Sequence, residues 1–457
     1  MEGGLFALHP LKKARKIIMA FKTNADIVNG EYGKWEYDSN SKSMVFKPLG
    51  KAVTIEAITE NIETNKANAC LLLSFDYLGR KKYFEIPRRA ISDPTLLQDL
   101  ADAGADVTKK HFNVFVDTLR QQELEIEATG VGSKKVYTHL GWKTMTIHLS
   151  TGGSVNKLCY RASNLVGPYN ATYDGSMKIN PMGTFDEWKA MVENEIIGHP
   201  PAEVVMLAGL SAVVNGLIST KTTGENPIIH LNGHSSTGKS AIAIAAASAY
   251  GEPFDGSRNV TDSYGITKTM QSCYGSWSAT ENATLGRCSG NRGFLIVLNE
   301  LGKFRGGGSN ATCDMSSLVY SMSEGTDKLR MNQDYTVSQL EGFTTTILSV
   351  GERSLLDKCK DKADGIRLRV LELDMPMTTS AENADKIKAV SRKNNGWAAP
   401  MMADYIINNG GLSMVEKIYR RWQKDLLNIW PDTPMKERFV ENSLHCSLPP
   451  LNWLKLR

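Results

Sequence analysis

From residue 30 to residue 90, apolar and polar side chains alternate. The pattern runs through KWEYDSNSKSMVFKPLGKAVTIEAI and then ACLLLSFDYLGRKKYFEIP, with a turn at 76–80. Alternation sends successive side chains to opposite faces, so the region predicts strands of a half-covered sheet. Helical spacing follows at 93–105 and 110–125, and strand-like sequence returns at 134–149. This is a mixed α+β domain in which no catalytic constellation falls. GVGSKK at 130–135 lacks a Gly-Lys-Ser ending and reads as a loop, as does the Gly-, Asn- and Pro-rich stretch 164–184.

The pattern changes after residue 195. Short apolar runs replace alternation: NPIIHL at 226–231, GFLIVLNELGK at 293–303, FTTTILSVGERS at 343–354 and GIRLRVLELDM at 365–375. Such runs suit strands buried on both faces of a parallel sheet. Between them lie helical stretches at 185–197, 202–218 and 241–250, and the pattern after residue 375 is helical to the end. Residues 412–429 form an amphipathic helix with basic residues on its wet side. The expected organisation is an α+β N-terminal domain over 1–195, an α/β core over 196–376 and a helical lid over 377–457.

The chemistry concentrates in the core. HLNGHSSTGKS carries Gly233-x-x-x-x-Gly238-Lys239-Ser240, a phosphate-binding loop set between a strand and a helix. Its residues Gly233, His234, Ser235, Ser236, Thr237, Gly238, Lys239, Ser240 and Ala241 are the candidates to hold ATP. Glycine lets the backbone curl so that its N–H groups turn inward, Lys239 reaches the phosphates, and Ser240 is placed to hold Mg²⁺. The helix that follows adds its positive end to the site. Hydrolysis also needs an acidic element at a strand end. Asn299 and Glu300 end the run FLIVL, which makes Glu300 the candidate to orient water and Asn299 the candidate to hold a metal-bound water. Asparagine offers an oxygen there without charge, which points to slow turnover or to help from another carboxylate.

Three further candidates follow. Ser349 ends the third run, where it can sense a phosphate. Arg367 and Arg369 head the fourth; as alternating strand residues they share a face, from which an arginine can reach a neighbouring subunit's nucleotide. DKLRM and TVSQLEG predict a hairpin whose Lys328 and Arg330 would meet phosphates of single-stranded DNA and whose Tyr335 could stack on a base.

Composition narrows the picture only slightly. Over 457 residues, 41% hydrophobic and 22% charged content is that of a soluble globular chain, and a net charge of +4 does not by itself argue for nucleic acid. Seven scattered cysteines without a C-x-x-C pair suggest reduced thiols in a cytoplasmic protein, and eight histidines form no zinc pattern. The apolar run at 17–21 is too short for a signal peptide and suggests a basic terminal arm. The apolar stretch 202–218 contains Glu203 and Asn215 and reads as a buried helix, so no membrane is expected.

Taken in order, NGHSSTGKS, WSATEN, LIVLNELGK, YSMSEGTDKLR, ILSVGERSLL and GIRLRVLEL resemble the domain-of-unknown-function family numbered 927, and HLGW at 139–142 and GTFDEW at 183–188 extend the likeness upstream. That resemblance implies an AAA+ P-loop NTPase related to the superfamily 3 and MCM helicases, encoded by prophages and integrative elements. It implies an ATP- and Mg²⁺-dependent homo-hexamer that moves on single-stranded DNA, with a primase or other replication partner. It assigns Lys239 and Ser240 to the nucleotide, Glu300 to catalysis, Lys328 and Arg330 to the pore side and Arg369 to the arginine finger. Family members carry Asp-Glu where this chain has Asn299-Glu300. Because the chain ends at LPPLNWLKLR, loading onto DNA is expected to fall to the N-terminal domain or a partner. Two rival readings are a protein-remodelling or defence-signalling ATPase and a weakly hydrolysing, nucleotide-gated assembly module.

Overall fold

The computed structural model describes residues 23–63, 69–93, 96–148, 152–168, 170–219, 225–304, 314–326, 330–331, 337–338, 341–361, 364–433 and 436–447. The chain divides into two compact units, one formed by residues up to Thr138 with Asn259–Lys268, the other by the rest. The division thus falls between Thr138 and His139 instead of at 195. The helices that follow residue 375 belong to the same unit as the parallel sheet.

In the first unit, β1 (Ala25–Val28), β2 (Glu31–Asp38) and β3 (Ser43–Lys51) form an antiparallel sheet. A second sheet holds β4 (Val53–Asn61), β5 (Ala69–Tyr77) and β6 (Arg80–Pro87) as antiparallel neighbours. After α1 (Leu96–Asp102) and α2 (Phe112–Thr129), β7 (Ser133–Tyr137) joins β4 in parallel. The alternation legible in the sequence is real: Val53, Ile55 and Ala57 point inward with exposed or half-buried residues between them. On α2, Gln122 closes the open edge of β4, its Oε1 accepting from the Ile55 N–H at 2.8 Å and its Nε2 donating to the Val53 carbonyl at 3.1 Å. Gly130 ends α2 in the left-handed region, at φ 71°, where a glycine costs least.

The second unit opens with the antiparallel pair β8 (Gly141–His148) and β9 (Ser154–Arg161), which β10 (Leu165–Val166) extends. The stretch 134–149 is therefore two strands in two sheets. The stretch 164–184 holds β10 and the two-residue β11 (Thr172–Tyr173) within an otherwise irregular path. Then come α3 (Phe185–Glu195), capped by Thr184, and α4 (Pro200–Ile218). Length and composition would let α4 cross a membrane, but it lies in the core with most of its surface covered. Proline at its first position suits the turn whose N–H groups have no helical partner.

The centre of this unit is a five-stranded sheet in the order β15-β16-β19-β12-β20. Its strands are β12 (Ile228–Leu231), β15 (Tyr274–Ser276), β16 (Ile296–Asn299), β19 (Ile347–Val350) and β20 (Val370–Leu373), and every neighbouring pair is parallel. In β12, β16 and β19 every residue is buried, which explains their unbroken apolar runs. The helix α5 (Lys239–Ser248) follows β12, and the ribbon β13 (Ser257–Thr261) and β14 (Thr267–Gln271) precedes β15. Between β15 and β19 come α6 (Glu281–Cys288), α7 (Ser316–Glu324), and the short antiparallel pair β17 (Arg330–Met331) and β18 (Val337–Ser338). The six-residue α8 (Asp364–Arg369) leads into β20, and α9 (Ala381–Lys393), α10 (Ala398–Asn408), α11 (Gly411–Ile429) and α12 (Lys436–Ser447) follow it.

Candidate functional site

Chain order reverses at β12, because β15 to β19 lie on one side of it and β20 on the other. In open parallel sheets, ligands sit outside the carboxyl ends of the strands at such a point. Here the Gly233–Ser240 stretch leaves β12, and a cavity of about 880 Å³ opens between Ser235–Ala241, Asn299–Lys303, Val350–Arg353, Lys358 and one face of α9.

The loop owes its shape to residues that tolerate positive φ. Gly233 and Gly238 lie at φ 109° and 80°, and Ser236 at 65°. A side chain at Gly233 would collide with the Asp374 carboxylate, and one at Gly238 with Thr378, so the two glycines also make room for the segment that follows β20. The helix α5 starts at Lys239 with no side chain capping its first turn. The Ala241 N–H turns back to the Gly238 carbonyl at 3.0 Å, and an uncapped first turn of this kind is a place for an anion. Lys239 Nζ donates to the carbonyls of Gly233 at 2.9 Å and His234 at 2.5 Å, and lies 3.1 Å from Thr237 Oγ1. Burial lowers the Lys239 pKa, against the opposing pull of Glu352 and Asp374. Of the proposed nucleotide residues, Ser235 to Ala241 line the cavity, whereas Gly233 and His234 anchor the lysine from behind.

At the end of β16, Asn299 and Glu300 both reach the same cavity. Asn299 is 7% exposed, and its Oδ1 is buried without a hydrogen-bond partner among the described residues. An orphaned buried carbonyl oxygen is costly unless something binds it. Glu300 is half-exposed, pairs with Lys303, and holds φ 59° and ψ 66°. A non-glycine residue in that region marks backbone strain beside the cavity. Tyr274 on β15 is held well above the ordinary tyrosine range by burial and by Asp255, while a hydrogen bond with Ser240 pulls it back, which puts the loop serine beside the sheet.

Ser349 does not face the cavity. It is fully buried, and its hydroxyl is committed to two partners: Trp277 Nε1 donates to it at 3.0 Å, and His230 Nδ1 lies 2.8 Å away. His230 Nε2 is 2.8 Å from the Arg353 carbonyl, which can only accept, so the proton sits on Nε2 and the Ser349 hydroxyl donates to Nδ1. Burial keeps this histidine below its usual pKa. The Trp277 backbone N–H in turn donates to the Asn299 carbonyl at 2.9 Å. A directed polar chain therefore ties β16, β19 and β12 to the loop that carries Glu352 and Arg353. Glu352 accepts from the Ser235 hydroxyl on the phosphate loop.

The two arginines also differ from expectation. Residues 364–369 are helical, so Arg367 and Arg369 diverge instead of sharing a strand face. Arg369 is absorbed internally: it donates to the Gly365 carbonyl at 2.9 Å, pairs with Glu225 at 3.2 Å and Glu324 at 3.6 Å, and stacks 4.8 Å over Tyr320. Arg367 is exposed. Of the hairpin candidates, Lys328 and Tyr335 lie outside the described residues, and Arg330 is placed only as a backbone position on β17 opposite Ser338.

Several residues of the site escaped the sequence reading. His230 sits in an apolar run whose burial hid its polar role, and Trp277 follows β15 in a Gly- and Ser-rich stretch that gives no sign of its bond to Ser349. Glu352, Arg353, Asp374 and Thr378 come from segments more than a hundred residues beyond the loop. The one available signal was the charged pair Glu352-Arg353 just past the apolar run of β19, near the strand end as Asn299-Glu300 are at β16.

The solved structure described as "SCCmec type IV Cch - active helicase" matches with a TM-score of 0.65 and 21% identity, covering 95% of this chain and 76% of that one. A structure described as the A form apo structure of the NrS-1 C-terminal region aligns at 10% identity over 87% of this chain and 89% of its own, with a TM-score of 0.27. No curated protein matches the sequence. The first likeness shows a shared fold with that helicase. Residues 30–341, more than half the chain, match the family described as a domain of unknown function (DUF927), and the chain belongs to that family.

Proposed function

We propose that this chain is an AAA+-type P-loop ATPase, within the superfamily 3 and MCM-like groups, that uses ATP and Mg²⁺ to move along single-stranded DNA of a mobile element. The observation that carries the reading is the glycine-bent loop and uncapped α5 at the switch point of a parallel sheet, with Lys239 at its centre. Those residues fit a triphosphate: the glycine cradle leaves no room for side chains, and the orphaned Asn299 oxygen lacks only a donor or a metal-bound water. Ser240 and Asn299 would hold the Mg²⁺ and its waters, and Mg²⁺ when bound supplies charge neutralisation across the phosphates. Lys239 brings a positive charge to the loop, and Glu300 supplies a carboxylate oxygen to take a proton from water.

The translocation half of the proposal draws on the fold shared with a protein described as an active helicase. Exposed Arg367 replaces the internally paired Arg369 as the residue to reach a neighbour in a ring, here taken to be a hexamer. A second reading, an assembly module that hydrolyses slowly, is favoured by the uncharged Asn299. The deciding experiment is ATP hydrolysis with and without single-stranded DNA, with Lys239→Ala as blank. Stimulation that weakens with added salt supports translocation. Hydrolysis indifferent to DNA sinks it, and ATP-dependent assembly without turnover favours the second reading.

A further inference from the structure

A second cavity of about 900 Å³ lies at the opposite edge of the central sheet. Its lining includes Arg292, just before β16, Glu341, which precedes β19, and the start of α11 at Gly411–Ser413. Positive charge dominates. Lys143, Lys157, Arg161 and Arg292 face one carboxylate, that of Glu341. Arg161, 4% exposed, is built into the wall, its guanidinium donating to the carbonyls of Gly141, Leu140 and Gly290 at 3.1–3.2 Å. The lining does not stop at the mouth. Ser413 begins a solvent face of α11 on which Lys417, Arg420, Arg421 and Lys424 recur at helical spacing, all exposed. Glu416 neutralises Arg420 at 2.6 Å, and among the described residues no carboxylate pairs with Lys417, Arg421 or Lys424, one cation per turn.

We propose that this cavity and the α11 face form a track for the phosphate backbone of a nucleic acid strand. The proposal deepens the reading above and rests on it, adding a contact surface apart from the nucleotide site and the hairpin. Charge sign and spacing carry it: the face advances about 1.5 Å per residue, so Lys417 and Lys424 lie about 10 Å apart along the helix, a run that can meet successive phosphates. A membrane surface fits poorly. The apolar side of α11, with Val415 and Tyr419, is packed in the core and is not free to enter a lipid interface.

The test is fluorescence anisotropy of a labelled 30-nucleotide oligothymidylate without ATP, over a salt series. The variants are Lys417→Glu/Arg421→Glu/Lys424→Glu and, separately, Lys157→Glu/Arg292→Glu. All five positions are exposed, and a circular dichroism spectrum checks each fold. Each variant is expected to weaken binding at least about tenfold, and the triple variant to flatten the log–log salt slope by about 2. DNA-free ATP hydrolysis is expected to stay unchanged. Wild-type affinity and slope in both variants would overturn the track, as would wild-type protein that ignores the oligonucleotide but binds phosphatidylserine vesicles or an acidic peptide. If binding depends on α11 while hydrolysis ignores DNA, the track stands and the translocation reading falls. DNA-stimulated hydrolysis with undiminished binding in the variants sinks the track alone.

Discussion

The two edges of the central sheet each contain a buried histidine, and the two are held in opposite ways. At the carboxyl edge, His230 bears its proton on Nε2, gives it to the Arg353 carbonyl, and takes one from Ser349 on Nδ1; both nitrogens are satisfied. At the amino edge, His445 on α12 donates from Nδ1 to Asn215 Oδ1 at 2.9 Å, since the Asn215 amide nitrogen is spent on the His445 carbonyl at 2.8 Å and Thr346 at 2.9 Å. Its Nε2 has no hydrogen-bond partner among the described residues, and Glu441 stands 4.0 Å away. Burial drives His445 down to about 4. One histidine thus locks strands together beside the cavity that holds the glycine loop. The other pins the last helix to α4 and keeps a vacant acceptor. Satisfied networks rigidify, whereas an orphaned nitrogen makes a site sensitive to protons.

The contrast can be broken most sharply at the carboxyl edge. Lys239→Ala should reduce ATP hydrolysis at least about 100-fold while leaving the melting temperature of the free protein nearly unchanged, because the lysine serves the loop and not the core. Nucleic-acid binding at the other edge, measured without ATP, should survive this substitution. A parallel loss of both would show that the two edges are not separate.

Next in size is His230→Ala. Removing the ring leaves the Ser349 hydroxyl and the Arg353 carbonyl without their partner and opens a cavity under β12. We expect a loss of about 2–4 kcal/mol in chemical denaturation. Ser349→Ala, which strands only the His230 and Trp277 nitrogens, should cost about half as much. Equal stability in both variants would mean the chain of bonds is ornamental.

His445 offers the opposite experiment. Its folded pKa lies below the unfolded value of about 6.5, so the unfolded chain takes up the proton first. The stability it contributes is complete above about pH 6.5 and is lost as the pH falls toward 4, by at most about 3 kcal/mol. Hydrogen exchange in α12 read across that window should show the docking loosen, and His445→Gln should flatten the dependence. His230→Gln should reduce the acid loss of global stability too, because burial also holds that histidine below its usual pKa, but the loosening of α12 should persist.

The smallest effect expected is at Asn299. Asn299→Asp should raise hydrolysis about tenfold by adding a charge where the metal's waters would sit. It should also lower the melting temperature without Mg²⁺ and nucleotide, because a buried carboxylate then lacks a partner. Recovery of the melting temperature on adding both is the signature to seek. Without that recovery, the position does not face a metal.

How much of this was legible depends on distance along the chain. The glycine loop is a contiguous stretch whose bend between β12 and α5 follows from its own glycines, so the sequence alone located it. The buried runs of β12, β16 and β19 and the core helix α4 were equally plain, because burial on both faces leaves them mostly apolar, with polar exceptions such as His230, Asn299, Ser349 and Asn215. Arg367 and Arg369 were misjudged for a local reason: IRLRV alternates like a strand, and a helix of six residues is too short for helical periodicity to outvote it. Ser349 was misjudged for a long-range one. Its hydroxyl meets a histidine 119 positions earlier and a tryptophan 72 positions earlier, and no pattern within the run ILSV can reveal either.

The sequence by itself therefore determined the glycine-bent loop between a strand and a helix, the parallel character of the core and the amphipathic nature of α11, since each follows from neighbours a few residues apart. Tertiary structure decided which arginine is free, where the Ser349 proton points, and that segments from 143 to 424 share one basic surface. Those outcomes depend on side chains brought together from distant segments, and hydrogen bonds and charges act over ångströms of space regardless of the number of residues between them.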